Sequence, residues 1–387
     1  MISKALVVGA YQKKLEEIAA AGDINLTVVV PPAWGQTRLE TVHTRGYQLV
    51  VTGAAFNGNF HLHYYPRLKK IVAAAAADVI HIDEEPYNLA TFHAMRLAKR
   101  VNAKTVVFTW QNLKRKYPPP FSWMERYVLK HADALIAGNA EARRVWQAKG
   151  YAGPVRQIPQ FGVDPAMFYR RRRIHRVSKP SVALRRSARR PSQPSMTLGY
   201  VGRLVEEKGV EILLRAASKL SGPWNMQIIG RGPERQRFER MAQWLGIQSR
   251  VTFDRQLPST HMPNYLSGLD VLVLPSLSRP NWKEQFGRVL IEAMACEVVT
   301  VGARSGAIPE VIGRAGLLFE EGNVDALRQQ LQRLLDDVSL RESLRQAGQQ
   351  RVLNHYTHAA IAQHTVALYR QLAEGNLQDA PVEPQPA

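Results

Sequence analysis

Residues 196–220 read MTLGYVGRLVEEKGVEILLRAASKL. The run is almost wholly apolar as far as Val201, breaks at Gly202, crosses a charged loop to Gly209, and resumes with Val210, Leu213, Leu214 and Ala217 at helical spacing. A strand without polar alternation, a glycine turn and an amphipathic helix make one unit of a parallel sheet covered on both faces. The pattern recurs. Further strands are expected at 226–230, 251–253, 271–275, 298–302 and 316–319, with helices at 234–245, 262–267 and 287–295. The first half repeats the alternation, with strands at 5–9, 26–30, 48–52, 79–82, 105–108 and 134–138 and helices at 11–21, 64–77, 89–101 and 122–131. The expected class is α/β: two Rossmann-like, doubly wound domains in series, facing across a cleft. Their bounds are 1–169 and 197–373, the second including the helical remainder from 325, with a loose tail at 374–387.

Between the halves, residues 170–196 break every pattern. The chain has 387 residues and a net charge of +20. Residues 1–169 contribute 21 basic against 12 acidic side chains, residues 170–196 contribute 10 against none, and residues 197–387 contribute 21 against 20. Half of the excess therefore sits in a serine- and proline-containing stretch without periodicity, read as a disordered linker or insertion. It is a solvated spacer, a patch for anionic lipid, or an arm for nucleic acid. A single cysteine, Cys296, excludes an internal disulfide and a cysteine metal cluster. The N-terminus reads as a strand rather than a secretory signal, and no run approaches the ~18 apolar residues of a membrane span.

The residues that carry chemistry lie at strand ends. Gly202-Arg203 with Lys208-Gly209 is a glycine turn with two cations five residues apart, suited to an anion or to nothing more than a solvated turn. Gly230 and Gly232, followed by Pro233-Glu234, form a second turn; Ser305-Gly306 lies in a third loop. The stretch EQFGRVLIEAM, residues 284–294, puts Glu284 on a loop before a helix and Glu292 within it. Two glutamates eight apart are commonplace. Their position among three convergent loops is not.

This succession resembles the donor-binding half of retaining glycosyltransferase family 4, which has the GT-B fold. The resemblance is dense from 197 to 323 and looser in the first half, through HIDEEPYN (81–88) and TWQN (109–112). It implies transfer of a hexose-type sugar from a nucleotide diphosphate to a hydroxyl acceptor with retention. Arg203 and Lys208 would hold the diphosphate, Glu292 the ribose, and Glu284 with the Phe286 and Gly287 amides the sugar, with Gly202, Gly230, Gly232 and Ser305 lining the donor site. Such enzymes need no divalent metal at the diphosphate, so neither metal nor cofactor is expected. In the first domain, Glu84 or Glu85 either polarises the acceptor hydroxyl or caps the following helix. Trp110-Gln111 stands where several family members carry a sugar-contacting histidine, making Gln111 the residue to examine there.

The family pattern is also departed from: 297–300 reads EVVT where small residues and a proline are usual, and Arg304 replaces a small or acidic residue. The expected partners are a nucleotide-sugar and a hydroxyl acceptor, with peripheral contact to an anionic membrane through 170–190 and 114–123, where Tyr117, Phe121 and Trp123 accompany three cations. Nucleic acid is not expected. The location would be cytoplasmic, peripheral to the inner membrane surface. A 2-epimerase on the same fold and a non-catalytic polyanion-binding protein are the competing readings.

Overall fold

A computed structural model describes residues 1–171 and 195–377. The greater part of the basic 170–196 stretch, and the tail from 378, lie outside the described residues. Within the described residues the chain divides into two compact units, Met1–Asp164 with residues 355–377, and Pro165–Asn354.

Apart from a short antiparallel pair at Ala33–Trp34 and Thr37–Arg38, the strands of the first unit are β1 (Thr27–Val30), β2 (Gln48–Val51), β3 (Val79–Ile82), β4 (Lys104–Thr109), β5 (Ala134–Ala137) and β6 (Val155–Gln157). β1 pairs with β2, and β3 to β6 form a parallel series in chain order. Ile2 bridges Val29 on one side and Ile82 on the other and so closes the gap between them. Helices α1 (Lys13–Ala19), α2 (Leu68–Ala75), α3 (Leu89–Arg100), α4 (Phe121–His131) and α5 (Ala140–Ala148) intervene. β4 and β5 are buried over almost their whole length, which is why their sequences lack a polar alternation.

The expected first strand at 5–9 does not form. Residues Ala5–Val7 make a 3₁₀ turn instead. Its cause lies just before it: the Ser3 hydroxyl donates to Asp83 Oδ2 at 2.7 Å, and the Lys4 amide donates to Glu84 Oε1 at 2.8 Å. Those anchors bend the chain out of the sheet after one bridging residue.

The second unit is a single six-stranded parallel sheet of β7 (Met196–Val201), β8 (Trp224–Ile229), β9 (Val251–Asp254), β10 (Val271–Leu274), β11 (Val299–Ala303) and β12 (Leu317–Phe319). Its order is β9-β8-β7-β10-β11-β12. Counted from β7 this is 3-2-1-4-5-6, and the order reverses between β7 and β10, where an open α/β sheet has its ligand-binding crevice beyond the strand carboxyl ends. Helices α6 (Val210–Ser218), α7 (Arg235–Trp244), α8 (Met262–Leu266), α9 (Arg288–Ala295), α10 (Ile308–Ile312), α11 (Val324–Asp336) and α12 (Val338–His355) cover it. The core joins Leu198 and Tyr200 of β7 to Leu213 and Leu214 of α6 and Leu327 and Leu331 of α11.

The last helix, α13 (His358–Glu374), departs from the expected boundary. It was expected to stay with the second domain. Instead Ile361, Val366, Leu368 and Leu372 share a core with Leu6, Leu15, Ile18 and Val28 of the first unit. An amphipathic pattern states that one face is buried and not against which partner.

Candidate functional site

Four loops of the second unit meet at its switch point. The first follows β7. Gly209 there has φ +67°, and a Cβ on it would overlap the Pro275 carbonyl oxygen, so the loop lies directly against the end of β10. The Leu277 amide donates to the Glu207 carbonyl at 2.8 Å and fastens the two loops together. Only glycine suits a position with both that dihedral and that approach.

This fastening delivers Lys208 to Glu284. Lys208 Nζ lies 2.6 Å from Glu284 Oε2 and 4.7 Å from the centroid of the Trp282 ring. The Ser276 hydroxyl donates to the same carboxylate oxygen at 3.0 Å. The Glu284 main chain is held as firmly: its carbonyl accepts the Ala307 amide at 3.0 Å, and Gly306, at φ +52°, passes where any Cβ would strike that carbonyl. Both side chains of the ion pair are largely buried, at 14% and 11% exposed. A fixed ammonium beside a fixed carboxylate can meet a phosphate with one and sugar hydroxyls with the other.

The other expected donor residues are distributed around this pair. Gly202, Gly230 and Gly232 serve loop-to-loop packing: a Cβ on Gly230 would overlap the Gly202 carbonyl, and one on Gly232 the Leu204 carbonyl. Gly287, at φ +75°, caps α9, with the buried Phe286 before it. Glu292 on α9 is 7% exposed and pairs with Arg288 Nε at 2.8 Å. Burial raises its carboxyl pKa against the opposing effect of Arg288. Ser305 is buried, and its hydroxyl lies 2.9 Å from that of Ser278, which donates in turn to Glu321. Arg203 is 62% exposed and reaches only Glu207, at 3.4 Å. Ser276 and Trp282 complete the site, and the only sequence signal for Ser276 is its place at the end of a buried strand.

In the first unit the acidic run after β3 is internally bonded. Glu84, its side chain fully buried, pairs with Lys4 through both oxygens, and His63 Nε2 lies 3.5 Å away. Glu85 accepts from the Thr109 hydroxyl at 2.7 Å and from the Trp110 amide at 2.8 Å. Neither acid caps the helix that follows, since α3 begins at Leu89 behind Asn88. Glu85 instead fixes the 109–112 loop on which Gln111 sits. Gln111 is buried, accepts from Lys149 Nζ at 3.1 Å and donates to Tyr117 at 3.3 Å. Lys4 is lowered to about 8 by burial, with the Glu85 and Asp83 carboxylates opposing. Among the described residues no group of three metal-ligating side chains is gathered, and no helix is long and apolar enough to cross a membrane.

His63 shows how this interior responds to acid. Its Nδ1 faces the Asn59 and Phe60 carbonyls at 3.2 and 3.1 Å and therefore carries the proton of a neutral ring. Burial chiefly, then the Lys4 charge, lowers its pKa from 6.5 to about 4. A depressed folded-state pKa contributes stability that is complete above about 6.5 and lost as pH falls through about 4, up to about 3 kcal/mol in all. In urea melts at stepped pH, the advantage of wild type over His63→Asn should shrink across that window. Parallel curves would refute the assignment.

Two family descriptions match the chain, glycosyl transferases group 1 at residues 185–351 and glycosyl transferase 4-like domain at residues 8–160. A sulfoquinovosyl transferase of Arabidopsis thaliana is 27% identical over 310 residues, 76% of this chain and 57% of that protein. A GDP-mannose-dependent phosphatidylinositol monomannoside mannosyltransferase of Mycolicibacterium smegmatis is 32% identical over 163 residues, 40% of this chain and 43% of that one. The matched region thus spans about half the length of these relatives. Among solved structures, the Anabaena protein HepE in complex with UDP aligns over 96% of this chain and 98% of its own, with TM-score 0.68 and 17% identity. The sucrose-phosphate synthase of Thermosynechococcus elongatus aligns over 94% and 93%, with TM-score 0.67 and 22% identity. Both likenesses concern the fold, which is GT-B.

Proposed function

Because the chain belongs to the glycosyl transferases group 1 family, we propose that it transfers a hexose-type sugar from a nucleotide diphosphate donor to a hydroxyl acceptor with retention of configuration. The observation that carries the proposal is the Lys208–Glu284 pair, held by four loops at the switch point of the second sheet. Charge develops on the leaving diphosphate as the glycosidic bond breaks, and a cation already fixed there stabilises the transition state without reorganising. Lys208 takes that role, assisted by Arg203. Glu284 takes the sugar hydroxyls, and Glu292 on α9 the ribose. With two cations at the diphosphate, the reaction proceeds without a divalent metal.

The relatives named above extend the reading to donor and acceptor. One is by name dependent on GDP-mannose and acts on a phosphatidylinositol glycoside; the solved HepE holds UDP. A hydroxyl acceptor presented at a membrane suits the exposed cations Lys114, Arg115 and Lys116 and the exposed Trp123 on α4 of the first unit. Glu84 is committed to Lys4, so acceptor contact falls rather to the loop carrying Gln111.

The test is a thermal-shift panel of UDP-, GDP- and ADP-sugars in buffer containing EDTA, followed by turnover assays with and without acceptor alcohols. One donor should raise Tm, and its consumption should require an acceptor. Production of an epimer from donor alone would replace the proposal with the epimerase reading. In the same assay Arg203→Ala should weaken nucleotide diphosphate binding by about 1.5–3 kcal/mol, as measured by calorimetry. Its Tm should not move, because an exposed pair such as Arg203–Glu207 contributes little to stability.

A further inference from the structure

At the opposite ends of the same strands the second unit contains a cavity of about 610 Å³. It opens beside Asp270 and Cys296, which precede β10 and β11, and beneath α12. With β10 four residues long, the cavity lies about 13 Å along the strand direction from the donor loops. It is a separate place in the fold.

Four arginines line it, Arg170, Arg171, Arg341 and Arg345, against two carboxylates, Asp270 and Glu297. Both acids are engaged. Asp270 accepts Arg345 Nη2 at 2.9 Å and the Thr197 amide at 2.9 Å, and Glu297 accepts Arg170 Nη1 at 3.2 Å. The wall therefore carries two positive charges in excess. Two of its guanidinium donors, Arg171 Nε and Arg345 Nε, are buried and have no hydrogen-bond partner. A buried donor without an acceptor is costly, and guanidinium groups pair well with the oxygens of a phosphate. Arg345 is held in place by Asp270 with its side chain 13% exposed, so this is a preorganised donor and not a solvated one. The volume is several times that of a phosphate group, and Leu269 and Val338 give the remainder an apolar wall.

We propose that this cavity binds the phosphate group of a small phosphorylated metabolite through Arg171 and Arg345, at a site distinct from the donor loops. The phosphate accepts from the guanidinium groups of Arg171 and Arg345, and the organic part of the molecule lies along the apolar wall.

The probes are inorganic phosphate and fructose 6-phosphate, titrated calorimetrically into the whole protein at constant ionic strength set with KCl. Both should bind, the sugar phosphate more tightly, and Arg171→Ala and Arg345→Lys should each raise Kd at least about tenfold. Lys208→Ala should leave both affinities unchanged. Absence of binding below about 10 mM overturns the proposal, as does binding that survives both arginine substitutions or that disappears in Lys208→Ala, which would place the phosphate at the donor loops. Should Arg345→Lys prove unstable because its contact with Asp270 is weakened, Arg171→Ala decides alone, since the Arg171 guanidinium donates to Asn264 and to the Met167 carbonyl.

Discussion

Lys208→Ala should lower kcat/KM for the nucleotide-sugar by roughly 10²–10³-fold, about 2.7–4 kcal/mol of transition-state stabilisation. The magnitude follows from where the ammonium sits. Lys208 approaches Glu284 to 2.6 Å at 14% exposure, whereas Arg203 is 62% exposed and joined to a neighbour on its own loop. Low accessibility strengthens an electrostatic contact and removes the reorganisation that a solvated side chain would have to undergo. The same substitution leaves the Glu284 carboxylate with Ser276 as its donor, so the folded state is weakened as well. Glu284→Gln separates the two effects. It removes the buried negative charge in a Lys208→Ala background and so recovers Tm, while activity stays low. A Lys208→Ala enzyme with undiminished kcat/KM would remove the lysine from the reaction altogether.

The second large effect is expected from Gly209→Ala. The position combines φ +67° with a Cβ that would overlap the Pro275 carbonyl oxygen. Left-handed backbone alone costs an alanine about 1 kcal/mol. The overlap must separate the 202–209 loop from the end of β10, bringing the total to about 3–5 kcal/mol and lowering Tm by roughly 10 °C. Gly246 provides the control, with φ +71° and open space around its missing Cβ. Gly246→Ala should lose only the dihedral contribution, and calorimetric scans of the two variants compare overlap with strain directly. Equal losses would show that the loop-to-strand contact is unimportant. Displacement of Lys208 should abolish donor binding in the first variant and not in the second.

The contrast between Arg203 and Lys208 also marks the limit of what the residues reveal before folding. Both stand five apart in one loop and read as equal members of an anion cradle. Their different burial arises from the docking of Leu277 on Glu207, a contact between residues 70 positions apart. By comparison, β7 and β10 were legible because continuous apolar runs have few alternatives in a doubly covered sheet. The glycine turns were legible as turns, while their role in packing loop against loop was not. Glu84 was misleading for a similar reason: its partner, Lys4, lies 80 residues earlier, and no local pattern connects them. The same anchors defeated the expected first strand, although its residues are good strand formers.

The membership of α13 in the first unit bears on how the protein is made. A ribosome completes residues 165–354 before it delivers the helix that fills the core around Leu15 and Ile18. At about 5–20 residues per second the 210 residues between Asp164 and Glu374 represent a delay of roughly 10–40 s. Throughout that interval the domain synthesised first lacks the helix that fills its core, while the domain synthesised second has its whole sequence once Asn354 is made, before α13 is finished. Order of synthesis and order of completion are thus reversed.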